Sequence, residues 1–115
     1  MINGTHVIIY SRDAEADRVF FRDVLGYPSV DAGDGWLVFK VPPAEIALHP
    51  GGQEAAELYL MCDDIGSTMS ELTSRGVEFA KPLSDEGWGL LTSIRLPGGG
   101  EVGLYEPRHP TAYDL

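Results

Sequence analysis

The chain has 115 residues, 43% of them hydrophobic, with 14 Gly and 8 Pro, the composition of one small globular domain rich in turns. Its 8 basic and 18 acidic residues give a formal charge of -10, which repels phosphate backbones and anionic lipid surfaces and argues against nucleic acid or membranes as partners. A lone cysteine, Cys62, leaves no internal disulfide and none of the usual structural zinc frameworks. Without a basic segment followed by a long apolar stretch at the start, or an unbroken apolar run of about 18 residues anywhere, the cytoplasm is the expected compartment.

Thr5 to Ser11 is rich in residues that favour strands. Asp13 then caps a helix whose apolar positions Ala16, Val19, Phe20 and Val24 follow helical spacing, with Gly26 as its stop. Strands are predicted near Pro28 to Asp31, after Trp36 and at Glu45 to His49. The stretch His49 to Glu54 has the composition of a linker. Glu57 to Cys62 is the next strand, with Cys62 a structural residue in an apolar run. Asp63 or Asp64 caps a second helix, with Ile65, Met69 and Leu72 on one face and Gly76 as its end. Strands near Val77 to Ala80, after Trp88 and at Glu101 to Tyr105 complete the order. Gly98-Gly99-Gly100 lacks the Gly-Lys-Ser/Thr of a phosphate loop and reads as a hairpin turn.

The two halves match. Phe39-Lys40-Val41-Pro42 with Glu45-Ile46-Ala47-Leu48-His49 repeats as Ile94-Arg95-Leu96-Pro97 with Glu101-Val102-Gly103-Leu104-Tyr105, and Gly33-Asp34-Gly35-Trp36 parallels Asp85-Glu86-Gly87-Trp88. The prediction is an α+β fold of two tandem βαβββ modules. Module one covers about 1–50, a linker 50–55, module two about 56–108, and a tail 109–115.

Together with Thr5-His6-Val7, the string Phe20-Phe21-Arg22-Asp23-Val24-Leu25-Gly26-Tyr27 and Gly76-Val77-Glu78-Phe79, this order resembles the vicinal oxygen chelate superfamily. Glyoxalase I, extradiol dioxygenases and the fosfomycin- and bleomycin-resistance proteins belong to it. The resemblance covers nearly the whole chain. It implies a curved mixed sheet around a cup-shaped pocket, and modules that pair within one chain or between two chains of a homodimer. Members share a scaffold and differ at the site, so the fold alone does not give the function.

Alternation along the strands sorts the side chains. Leu58 and Leu60 stand opposite Glu57, Tyr59 and Met61; Val102 and Leu104 stand opposite Glu101, Gly103 and Tyr105. The aliphatic face is expected against the helices and the mixed face in the cup, although a solvated sheet face also looks polar. Tyr10, His49, Tyr59 and Tyr105 are candidate ligand contacts. Trp36 and Trp88 are candidate aromatic walls, or ordinary core rings, and Arg95 a candidate anion contact, or a side chain reaching solvent. Ala47 and Gly103 are small enough to leave room for a ligand.

In metal-dependent relatives four ligands converge, and the resemblance carries those positions onto His6, Ala47, Glu57 and Gly103. Only His6 and Glu57 can coordinate, too few for a dedicated divalent site. The expectation is therefore a binding protein without a cofactor, taking a small aromatic or cationic ligand. A divalent metal ion held by His6 and Glu57 remains open. Enzymatic alternatives are a metal-dependent lyase or extradiol dioxygenase, or a metal-free isomerase or lyase with His6 and Glu57 as acid and base. An accessory subunit whose dimer surface matters is a third reading. His109, in Arg108-His109-Pro110, is read as an exposed residue with no role.

Overall fold

A computed structural model describes residues 6–45, 47, 50, 57–112 and 115. After Asp13, whose carboxylate accepts from Ala16 N at 3.1 Å, the chain forms helix α1 (Ala14–Val19). α1 runs on into a π-helical turn over Phe20–Val24, where Leu25 N reaches back to Phe20 O at 3.1 Å. The predicted cap and stop are in place; the widened last turn was not predicted. A two-stranded antiparallel ribbon follows, β1 (Ser29–Asp31) with β2 (Leu37–Phe39).

The second half has the predicted order. β3 (Tyr59–Met61) leads to α2 (Ile65–Ser74), then β4 (Phe79–Asp85), β5 (Gly89–Arg95) and β6 (Glu101–Pro107). The four strands form one sheet in the order β3-β6-β5-β4, parallel between β3 and β6 and antiparallel elsewhere. Asp64 caps α2 through Ser67 N at 3.1 Å, and Glu106 from β6 accepts from Ile65 N at 3.0 Å, so carboxylates satisfy two of the free N–H groups of that end. Gly76, at φ 85, turns the chain out of the helix.

One core serves both halves. Phe20 from the π-helical turn is buried with Ile65, Leu72, Val77, Ile94, Leu96, Val102 and Leu104, and Leu58 and Leu60 pack against them. The aliphatic sides of β3 and β6 thus face the helices, as alternation required. Two polar links tie the halves as well. Arg75 donates to Val24 O at 2.8 Å, and Asp17, only 8% exposed, accepts from Gly98 N at 2.8 Å. The triple-glycine segment is the β5–β6 hairpin turn, and the group on its N–H is a carboxylate of the chain itself.

The first half departs from expectation. Residues 6–11 form no strand, and Val7, Ile8 and Tyr10 are 61%, 65% and 92% exposed. Thr5 to Ser11 has the composition of a strand, but a strand exists only when a neighbour takes up its backbone groups. No described segment pairs with 6–11. Of the strand predicted at Glu45 to His49, Glu45 and Ala47 are not in a strand, and Ile46, Leu48 and His49 lie outside the described residues. The predicted linker lies outside them too, apart from Pro50.

Candidate functional site: an aromatic and acidic face

On the face of the sheet turned away from α2, register brings Tyr59 of β3 opposite Gly103 of β6, and Leu91 of β5 opposite Tyr105. Tyr105 is the centre of the cluster. Its ring meets Tyr59 edge-on at 5.6 Å between centroids and 88°, and Trp88 at 5.6 Å and 73°. Such contacts need close backbones. Gly89 supplies one: a Cβ there would sit 2.9 Å from Glu106 O and 3.2 Å from Tyr105 Cδ2.

Carboxylates flank the rings. Tyr59 OH donates to Glu57 Oε2 at 2.6 Å, and Tyr105 OH reaches Glu45 Oε1 at 3.4 Å, a long contact. The bond to the Glu57 carboxylate, aided by partial burial and by the charges of Glu57 and Glu86, pushes the Tyr59 phenol up to about 12. Cys62 donates its thiol to Tyr105 O at 3.6 Å, and burial raises its pKa, which suits the structural role read from the sequence.

The predicted site residues do not all meet. Tyr59, Tyr105 and Trp88 come together. Trp36, their supposed counterpart in the first half, is 62% exposed and lies instead under the Arg18 guanidinium, 4.6 Å from the ring. Tyr10 projects into solvent, and His49 lies outside the described residues. Arg95 shares the face, paired across from Glu101, but is exposed at the far end of β5. His6 is exposed and has no hydrogen bond among the described residues, while Glu57 bonds to Tyr59.

Two expectations need correction. Gly103 does not leave room for a ligand: the Tyr59 ring lies across it, since residues opposite one another on neighbouring strands share a face and glycine lets the ring settle onto the backbone. His109 is not an idle exposed residue. Its ring stacks on Tyr105 at 6.1 Å and 27°, and Nε2 is 4.0 Å from Glu45 Oε1. The signal that marked it was the bracketing pair Pro107 and Pro110, which restrict the backbone just where the chain leaves β6.

Open depressions lie elsewhere. One of about 470 Å³ runs along Ala16, Val19, Phe20 and Val24 of the first helix, and one of about 320 Å³ lies against Val30, Val38 and Phe39. Both have mainly apolar walls; Asp13 and Glu15 also line the first, where Asp13 is engaged as the cap of α1.

The donor set does not match a metal ion. Of the four positions implied, Ala47 and Gly103 carry no donor, the Tyr59 ring covers Gly103, and the Glu57 carboxylate is bonded to Tyr59. Among the described residues no three His, Cys, Asp or Glu side chains converge.

Comparison with known proteins places the chain. No curated protein sequence matches it. Among solved structures, lactoylglutathione lyase from Agrobacterium tumefaciens is similar at 18% identity and TM-score 0.66, over 90% of this chain and 92% of that one. TnmS3, an antibiotic binding protein from Streptomyces sp. CB03234, is similar at 21% identity and TM-score 0.60, over 90% and 99%. A Glyoxalase/bleomycin resistance protein/dioxygenase superfamily member from Sphaerobacter thermophilus DSM 20745 reaches 27% identity and TM-score 0.61, over 91% and 98%. The first two show the fold alone. The family profile described as Glyoxalase/Bleomycin resistance protein/Dioxygenase superfamily matches residues 5–107, and the chain belongs to that superfamily.

Proposed function

We propose that the chain binds a small aromatic, cationic molecule on the Tyr59, Trp88 and Tyr105 face and acts by sequestering it in the cytoplasm. The observation that carries this reading is the edge-to-face ring cluster flanked by Glu45 and Glu57. Rings supply flat apolar area, and carboxylates on a chain of charge -10 draw cations toward it. A structural relative described as an antibiotic binding protein is in keeping with it. The lyase and dioxygenase readings need donors that the four implied positions lack, and the metal-free one needs His6 beside a Glu57 already bonded to Tyr59. A thermal-shift screen of cationic aromatic, neutral aromatic and anionic compounds tests the proposal. Stabilisation confined to the cationic aromatics, and lost in Glu45→Gln and Tyr105→Leu, is the expected outcome. Silence across the cationic aromatics would sink it, and stoichiometric metal in protein purified without chelator would reopen the enzyme readings.

The working form in this proposal is a homodimer in which the two βαβββ modules close a cup. Support comes from the first half: Val7, Ile8 and Tyr10 are exposed at strand-forming positions, and β3 and β4 each have only one neighbour among the described strands. Sedimentation should give the mass of two chains for the native sequence and of one for Ile8→Asp. A native monomer at high concentration would contradict it.

A further inference from the structure

Resting on that reading, we infer that His109 is a built-in stand-in for the ligand: the C-terminal tail lays its own nitrogen heterocycle on Tyr105, and the true ligand is a planar, N–H-bearing heteroaromatic cation that displaces it.

The tail is pinned at both ends and weakly held in the middle. At its start Arg108 N donates to Trp88 O at 2.8 Å, and the Arg108 guanidinium pairs with Asp85 at 3.0 Å. At its far end Ala112 N donates to Glu45 Oε2 at 2.8 Å. Between them the imidazole lies on Tyr105. His109 Nδ1 is 2.8 Å from Pro110 O, and a carbonyl only accepts, so Nδ1 carries the proton and Nε2 is the nitrogen turned to Glu45. At 4.0 Å that approach is too long for a hydrogen bond.

The imidazole therefore has the stacking surface and the carboxylate of a heterocycle site but not the hydrogen bond that would complete it. Among the described residues, the donor that reaches Glu45 Oε1 is the Tyr105 hydroxyl, at 3.4 Å. A flat cation slightly longer than imidazole, with an N–H directed at Glu45, fills the same place and makes the missing charge-assisted bond. Its stacking partner is the ring His109 now covers, so the two cannot occupy the face together.

The test uses the full chain and 2-aminobenzimidazole, a flat cation at neutral pH, with indole as the neutral control. A plug in place about nine-tenths of the time lowers apparent affinity about tenfold. Titration calorimetry should find 2-aminobenzimidazole bound about tenfold more tightly by His109→Ala than by the native chain. His109→Phe keeps a ring on Tyr105 and should not show that gain. Indole should bind weakly to all three. In the native chain the His109 ring protons, shifted by the Tyr105 ring current, should move to solvent-exposed values as the probe saturates. Equal or weaker binding by a folded His109→Ala overturns the inference while leaving the binding reading standing. So does saturation with the His109 resonances unmoved. If 2-aminobenzimidazole binds neither variant while other compounds give thermal shifts, the ligand class is wrong; if nothing binds, the underlying reading falls with it.

Discussion

Gly103→Ala is expected to destabilise the chain by about 2 kcal/mol, the ordinary cost of forcing an extra methyl into a packed contact. The new Cβ would sit 2.5 Å from Tyr59 Cε1 and 3.0 Å from Cγ. Because Cγ is the atom nearest the Tyr59 backbone, the ring cannot relieve the overlap by moving only its far end. It must leave as a whole, giving up the edge contact with Tyr105 and the 2.6 Å bond to Glu57. That second loss provides a separate readout. Freed from Glu57, the Tyr59 phenol should fall from about 12 toward the ordinary value of about 10, visible as a tyrosinate absorbance that develops earlier in an alkaline titration. The sign of the linkage follows from the raised value: the Tyr59–Glu57 bond contributes its full stability below about pH 10 and loses it as pH rises toward about 12. In Gly103→Ala that alkaline loss should disappear. Tyr59→Ala combined with Gly103→Ala should cost less than the two separately, since the clash needs both groups. Additive costs, or an unchanged melting curve for Gly103→Ala alone, would show that the ring is not held over the glycine.

The second large effect is expected at Asp17. Its carboxylate is buried within α1 and is the acceptor for Gly98 N at 2.8 Å, so one bond joins the first helix to the β5–β6 turn. Asp17→Ala leaves that N–H without its partner in a half-buried turn. The cost should be about 2 kcal/mol, in the range for stranding one member of a charged hydrogen bond. Asp17→Asn keeps an acceptor oxygen of the same reach and should cost about half as much, separating the bond from the charge. Urea midpoints with unchanged slopes would measure both. If Asp17→Ala costs no more than a surface change, about 0.5 kcal/mol or less, the link between the halves is not made there. Gly98→Ala should fail for the complementary reason: its Cβ would meet the Ser11 hydroxyl and lie 2.8 Å from Asp17 Oδ2.

These two sites, with His109, show where reading the chain succeeds and where it stops. Both helix starts were legible because capping is local: Asp13 bonds Ala16 N and Asp64 bonds Ser67 N, each three residues away. The faces of β3 and β6 were legible because alternation is a property of the strand itself, which sends Leu60 and Leu104 to the core and Tyr59 and Tyr105 to the other side. The superfamily was legible from the order of elements and the Phe20 to Tyr27 string, and residues 5–107 match its profile.

What depended on distant partners was not legible. Strand propensity at residues 6–11 could not supply the neighbour that a strand requires. Gly103 looked like empty space because its small size is written in the sequence, whereas the ring that covers it comes from a strand more than forty residues earlier in the chain, in a register only the sheet decides. Asp17 meets Gly98, and Glu45 meets Tyr105, His109 and Ala112, across separations of about sixty to eighty residues. By itself, then, the sequence determined the two helices, the order of the second half, the faces of β3 and β6 and the family, because capping, periodicity and turn chemistry act within a few residues. Only the tertiary structure decided which rings and carboxylates share a face, that the glycine gap is filled, and that the tail returns to lie on Tyr105, because those contacts follow from how the sheet and helices pack.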